Sequence, residues 1–194
     1  LVYFGSIDKS NNDEQLIRGI TLTTPGEDQY YSFGAHDGYD IAIVQRTGSA
    51  HFPGRRSTKH NWIVMQFDLH TASPLPHVLI GHRDEAQLLY ASLLSIQREL
   101  SEHVFAAPTD HHKQFPKQFI TLASPAHAQM VEYIVSPEFT GAIVGHFRHL
   151  LIEIEGDSLY LFVDDPRPTV QFLDKMLHYG LVFAKHVDER MGAR

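Results

Sequence analysis

Leu150 to Val163, LLIEIEGDSLYLFV, reads as one β-hairpin, and the rest of the chain is ordered around it. Gly-Asp between two apolar runs is a two-residue turn signal, because Gly156 takes the positive φ that the first central position of a type II′ turn needs. Counting outward from Gly156 and Asp157 sets Glu155 opposite Ser158, Ile154 opposite Leu159, Glu153 opposite Tyr160, Ile152 opposite Leu161, Leu151 opposite Phe162 and Leu150 opposite Val163. Side chains alternate faces along a strand, so Leu150, Ile152, Ile154, Leu159, Leu161 and Val163 share one side, which must be buried. The other side carries Glu153 and Glu155 beside Tyr160, Phe162 and Leu151. It is too polar for a dry core and too aromatic for an ordinary solvated face. A slip of one residue would mix the two sets, so the register is strongly specified.

Working back from the hairpin, the period changes with position. Ile20 to Thr23, Tyr30 to Phe33, Tyr39 to Arg46 and Asn61 to Leu69 are short β-branched and aromatic runs between turn residues, the pattern of antiparallel strands. Asp37-Gly38 is a tight turn, and Thr47 to His60 reads as a longer basic loop. His77 to Gly81 predicts a further strand. From Asp84 to Val104, apolar residues recur at spacings of three and four, which predicts an amphipathic helix with Asp84 and Glu85 at its N-terminal dipole. Phe119 to Ala123 predicts a strand, and Ser124-Pro125 and Ser136-Pro137 each open a helix, with Pro at the first position. Beyond the hairpin, Val170 to about Arg190 outlines a C-terminal helix expected to cover the hairpin's aliphatic face. Gly180 inside it predicts a kink or a close approach to the sheet.

The resulting class is α+β with a largely antiparallel sheet: N-terminal strands, a central helix, the hairpin at 150–163 and the long C-terminal helix. Residues 1–18 read as a flexible leader and 19–194 as a single domain, with a subdivision near 105–115 as the one alternative.

Composition limits the chemistry. The chain has 194 residues and no cysteine, which excludes disulfides, thiolate catalysis and cysteine-ligated metals. A net charge of −7 argues against broad nucleic-acid binding, and no apolar run approaches the ~20 residues that span a bilayer. A cytoplasmic location fits this composition, with any membrane contact made through a segment not present in this chain. Sequence templates for nucleophile elbows, HExxH zinc helices and phosphate loops do not occur.

Fourteen histidines are the compositional oddity. They group as Asp110-His111-His112, as His70, His77 and His82, and as His146 and His149 with Glu153. None has the tight spacing of a structural zinc site, so they read first as structural or solvated. If a divalent metal such as zinc is held, the best trio is His146, His149 and Glu153. Glu153 and Glu155, about 7 Å apart on one strand face, read as solvated charge. Arg55, Arg56 and Lys59 near Trp62 form a local basic patch. Together Trp62, Arg55, Arg56, Glu153, Tyr160 and Phe162 make the candidate interaction surface. No catalytic residue and no organic cofactor is assigned.

Pro137-Glu138-Phe139 opening a helix, the strand FITLAS and the hairpin Glu153 to Phe162 resemble uncharacterised bacterial domain-of-unknown-function families found C-terminal to one or two membrane helices. The resemblance lies mainly in residues 115–190. It implies an α+β domain tethered to a membrane and facing the cytoplasm. The function read from the chain is thus a non-catalytic binding or interaction domain for an unidentified protein or small ligand. The alternatives are a metal-dependent enzyme with a His/Glu site and a helix-grip carrier of a lipid or small molecule. Such a carrier needs an apolar cavity of several hundred Å3 between helix and sheet, about the usual ligand-pocket scale.

Overall fold

The computed structural model describes residues 2–3, 26–50, 58–83, 99–146, 150–165 and 167–192. The hairpin forms as counted: β8 (Leu151–Gly156) and β9 (Ser158–Asp164) pair with Glu155 opposite Ser158, Ile154 opposite Leu159, Glu153 opposite Tyr160, Ile152 opposite Leu161 and Leu151 opposite Phe162. Gly156 has φ +64°, the positive value the turn demands.

Around the hairpin lies an antiparallel sheet. β1 (Val2–Tyr3), β2 (Gly26–His36), β3 (Tyr39–Ala50) and β4 (Thr58–Asp68) form a meander, and β5 (Leu75–His82), β7 (Phe119–Ala123) and β6 (Ser101–Glu102) form a second group. Among the described residues the order is β1-β2-β3-β4-β9-β8-β5-β7-β6, so the hairpin, late in the chain, inserts between β4 and β5. The turn joining β2 and β3 is Asp37-Gly38, both at positive φ (51° and 88°), as a type I′ turn requires.

Register carries the aliphatic face across the sheet. Leu159, Leu161 and Val163 face Phe67, Met65 and Ile63 on β4, while Ile152 and Ile154 face Ile80 and Val78 on β5. The C-terminal helix, Val170–Met191, covers this stripe. It is capped by Thr169, whose hydroxyl accepts from the Phe172 amide at 3.2 Å, and it buries Met176, Gly180, Phe183, Ala184 and Val187. Gly180 makes the close approach: a Cβ there would lie 2.0 Å from Cζ of Phe67. Among the described residues three shorter α-helices precede it, α1 (Phe115–Gln118), α2 (Ala128–Ile134, entered through a 3-10 turn at Pro125–His127) and α3 (Pro137–His146), with the C-terminal helix as α4. Phe139 of α3 packs on Phe183 with ring centroids 4.4 Å apart.

Three expectations need correction or lie out of view. The basic loop Thr47 to His60 is shorter than expected, because Thr47–Ala50 pairs with Thr58–Asn61 and prolongs β3 and β4. A helix running to Val104 does not hold at its end: Ser101 and Glu102 pair with Ala123 and Leu122, and Val104 is exposed. Backbone pairing with β7 satisfies these amides where the helical pattern has faded. The rest of that helix, the strand Ile20 to Thr23 and most of residues 1–18 lie outside the described residues, although Val2 and Tyr3 pair with Phe33 and Ser32.

Candidate functional site

The hairpin's mixed face is resolved by dividing it lengthwise. Away from the turn, Leu151 and Phe162 join Ala42, Val44, Trp62, Val64, Leu79 and Leu122 in a second buried apolar cluster. Trp62 and Phe162 meet edge to face at 5.8 Å. Toward the turn the same face becomes polar, through Asp68, Gln66, Ser158, Glu155 and Glu153, and Gln66 Nε2 donates to Asp68 Oδ1 and Ser158 Oγ. Burial holds the Asp68 carboxyl above its usual range, with Asp157 and Asp40 adding like charge. Tyr160 lies at the boundary. Its hydroxyl is pushed up to about 12, first by burial and further by Glu153, Glu155 and Asp157, although Ser158 opposes the rise.

At that boundary Glu153 is fully buried, and His77 Nε2–H donates to its Oε1 at 2.7 Å. Local structure brings the two together. Leu75 pairs with Gly156 and Val78 with Ile154, so Pro76 and His77 span a step that Glu155 alone covers on β8. This is a β-bulge, the device that re-aims side chains beside sites, and Pro76 sits where an amide donor is dispensable. One ligand atom from each of His77, Glu153 and Glu155 lies within 4.8 Å of the other two.

On the α4 side, at the same end of the sheet, a second constellation flanks an open cleft of about 470 Å3 lined by Leu69, His70, Thr71, Ser73, Pro74, Gly156 and Asp157. Asp188 of α4 is buried, accepts the His70 amide at 2.9 Å and lies 3.4 Å from His70 Nδ1. Tyr39 stacks on His70 at 4.9 Å, and its hydroxyl is raised first by burial and then by Asp188. Thr71 Oγ1 donates to the Ser73 carbonyl at 3.1 Å, which ties the loop down. The outcome is a rigid, half-polar recess with an imidazole on its rim.

Of the residues singled out from sequence, Trp62, Glu153, Tyr160 and Phe162 are at most 4% exposed. They do not form an open interaction surface, because both faces of the sheet are covered there. Arg55, Arg56 and His149 lie outside the described residues. His146 is exposed on α3, stacked on Tyr179 of α4, and so lies across the sheet from Glu153. The structure thus separates His146 from Glu153 and gives Glu153 a different histidine. His111 and His112 point apart as adjacent residues do: His111 is buried against Phe105, whereas His112 is exposed. His82 is buried edge-on to Phe119.

Ser136, His186 and Glu138 come together without forming a catalytic triad. His186 Nε2 faces the Ile134 carbonyl at 3.2 Å, which can only accept, so that nitrogen carries the proton and cannot take one from Ser136. Ser136 is buried and caps α3, its oxygen facing the Phe139 amide. Sequence reasoning grouped His77 with His70 and His82 rather than with Glu153, and it missed Asp188. The available signal was Asp188 itself, an acid one residue after Val187 on the apolar stripe of a helix.

These features define an α+β domain with one antiparallel sheet, a long helix on one face and polar recesses at the hairpin end. No family model matches the chain, and no curated protein matches it. Among solved structures it is similar to the crystal structure of the mycobacterial trehalose monomycolate transport factor A, TtfA, with TM-score 0.62 and 7% identity over 98% of this chain and 86% of that one. At that identity the likeness is one of fold.

Proposed function

We propose that this chain is a non-catalytic binding domain whose ligand is the neutral, polyhydroxylated head of an amphiphile, seated in the cleft between Leu69–Pro74 and the hairpin turn. The observation that carries the reading is the cleft, about 470 Å3 and open to solvent, with its loop clamped by the buried Asp188 carboxylate. Hydroxyl, imidazole and carboxylate groups line it beside Leu69 and Pro74, a mixture suited to hydrogen-bonding a sugar-like head while an apolar part lies alongside. Asp157 on its rim disfavours an anionic head. The likeness to a factor named for transport of a trehalose ester supports an amphiphile. A helix-grip mode, with the apolar chain swallowed between helix and sheet, fits less well, because Phe67, Met176 and Phe183 occupy that layer.

The same reading takes the domain as the soluble part of a longer, membrane-anchored protein at the cytoplasmic face. Among the described residues no helix is long and apolar enough to cross a membrane. Support for an anchor is the resemblance of Pro137-Glu138-Phe139 and the hairpin to membrane-tethered domains. If the full-length gene product fractionates without the membrane at low salt, the tether is refuted.

Binding is tested by two-dimensional NMR of the domain titrated with a short-chain trehalose monoester and, separately, with anionic phospholipid micelles. Amide shifts confined to Leu69–Pro74 and Gly156–Asp157 with the glycolipid, lost in Ser73→Trp, are expected, with the ester recovered intact. Hydrolysis of the ester, or shifts lying elsewhere, would overturn the reading.

A further inference from the structure

We propose that His77, Glu153 and Glu155 form a binding site for a divalent first-row transition ion on the sheet face opposite α4. The inference does not rest on the cleft or its ligand. Glu153 and Glu155 lie two apart on β8, so both carboxylates rise from one face, and His77 on β5 is brought alongside by the bulge at Pro76. Their ligand atoms already lie within 4.8 Å of one another. Metal bonds of about 2.0–2.2 Å place neighbouring donors roughly 3–3.5 Å apart, so small side-chain rotations close the set.

Burial supplies the second observation. Glu153 is 0% exposed beside the apolar cluster of Leu79, Leu151 and Phe162. A carboxylate is held there at a cost in desolvation that a structural role does not require, since an aliphatic residue would extend the cluster. His77 Nε2–H already bonds Glu153 Oε1 at 2.7 Å, and a dication would take the place of that proton and draw Glu155 into the same set. One imidazole and two carboxylates, with no thiolate, match manganese, iron(II) or zinc and disfavour copper(I). Glu155 is exposed, so the ion would keep solvent-side positions for water or a bound oxygen ligand.

The test uses the whole chain, freed of metal with EDTA and titrated with MnCl2 and with ZnCl2 by calorimetry, with manganese binding read independently by electron paramagnetic resonance. One ion per chain is expected, together with a melting temperature that rises with free metal. Glu155→Gln removes an exposed ligand and should leave the fold intact by circular dichroism while weakening binding roughly tenfold or more, by the scale of lost site contacts. His77→Gln should do the same. His146→Ala and His70→Ala should bind as the wild type. Absence of stoichiometric binding, or binding that survives Glu155→Gln and His77→Gln, overturns the proposal. Loss in His146→Ala alone would place the ion elsewhere and overturn it as well.

Discussion

Replacing Gly180 by alanine sets two effects against each other, and the geometry at Phe67 decides the sign. In an exposed helix interior the change stabilises by about 1 kcal/mol, because glycine's backbone freedom is lost on folding. At this position the new Cβ would lie 2.0, 2.2 and 2.9 Å from three carbons of the Phe67 ring, against an optimum of about 3.5–4.0 Å. The ring is fully buried in the layer that also holds Met65 and Met176, so neither helix nor ring gives way freely. Overpacking of this kind costs typically about 1–3 kcal/mol. Taking the upper end and subtracting the helical gain leaves a net loss of about 2 kcal/mol, or roughly 4–8 °C in melting temperature for a chain of this size. Urea unfolding and calorimetry of Gly180→Ala, Phe67→Leu and the double variant measure it. Shrinking Phe67 should make room, so that Gly180→Ala turns neutral or stabilising in the Phe67→Leu background. A Gly180→Ala protein more stable than the wild type would show that α4 does not seat on Phe67, and the packing scheme would fall.

Two further outcomes follow from buried charge. Arg46 is fully buried, and Asp28 takes its guanidinium with both oxygens, at 2.6 and 2.8 Å. Asp28→Ala should therefore cost about 3 kcal/mol or more by urea unfolding, whereas the pair Arg46→Met with Asp28→Leu should cost much less; equal losses would refute this. His103, His111 and His186 are all held below the usual imidazole range, first by burial. The unfolded chain then binds more protons just below pH 6.5, the ordinary histidine value, so their contribution is intact above it and is lost as pH falls toward the folded values. Tyr160, raised to about 12, works in the opposite sense: its contribution is intact below pH 10 and is lost as pH rises toward 12. Melting temperatures across pH 5–11 should thus form a plateau that falls at both ends, and a midpoint that climbs below pH 6.5 would contradict the burial of these histidines.

The candidate sites were far less legible than the frame. His70, His77 and His82 look equivalent in sequence, yet they meet Asp188, Glu153 and Phe119 respectively. Each partner lies on an element distant in the chain, and no spacing rule joins them. Glu153 reads as solvated because its strand alternates with aliphatic residues, a pattern that usually means one wet face. It is buried because β5 lies beside β8 and carries His77, Leu79 and the bulge on that face.

Sequence by itself determined the hairpin register, the Gly156 and Asp37-Gly38 turns, the start of α3 at Pro137 and the apolar stripe of α4, whereas Pro125 opens a 3-10 turn and α2 begins only at Ala128. All of these follow from side-chain period and φ preference within a few residues. Only the tertiary structure decided that β8 and β9 slot between β4 and β5, that Ser101 and Glu102 pair with β7, and that the hairpin's second face is half apolar core and half polar. Pairing between distant strands uses the same backbone groups whatever the side chains are, so it leaves no local mark. The hairpin's own alternation demanded one buried face; what covers the other depended on its neighbours.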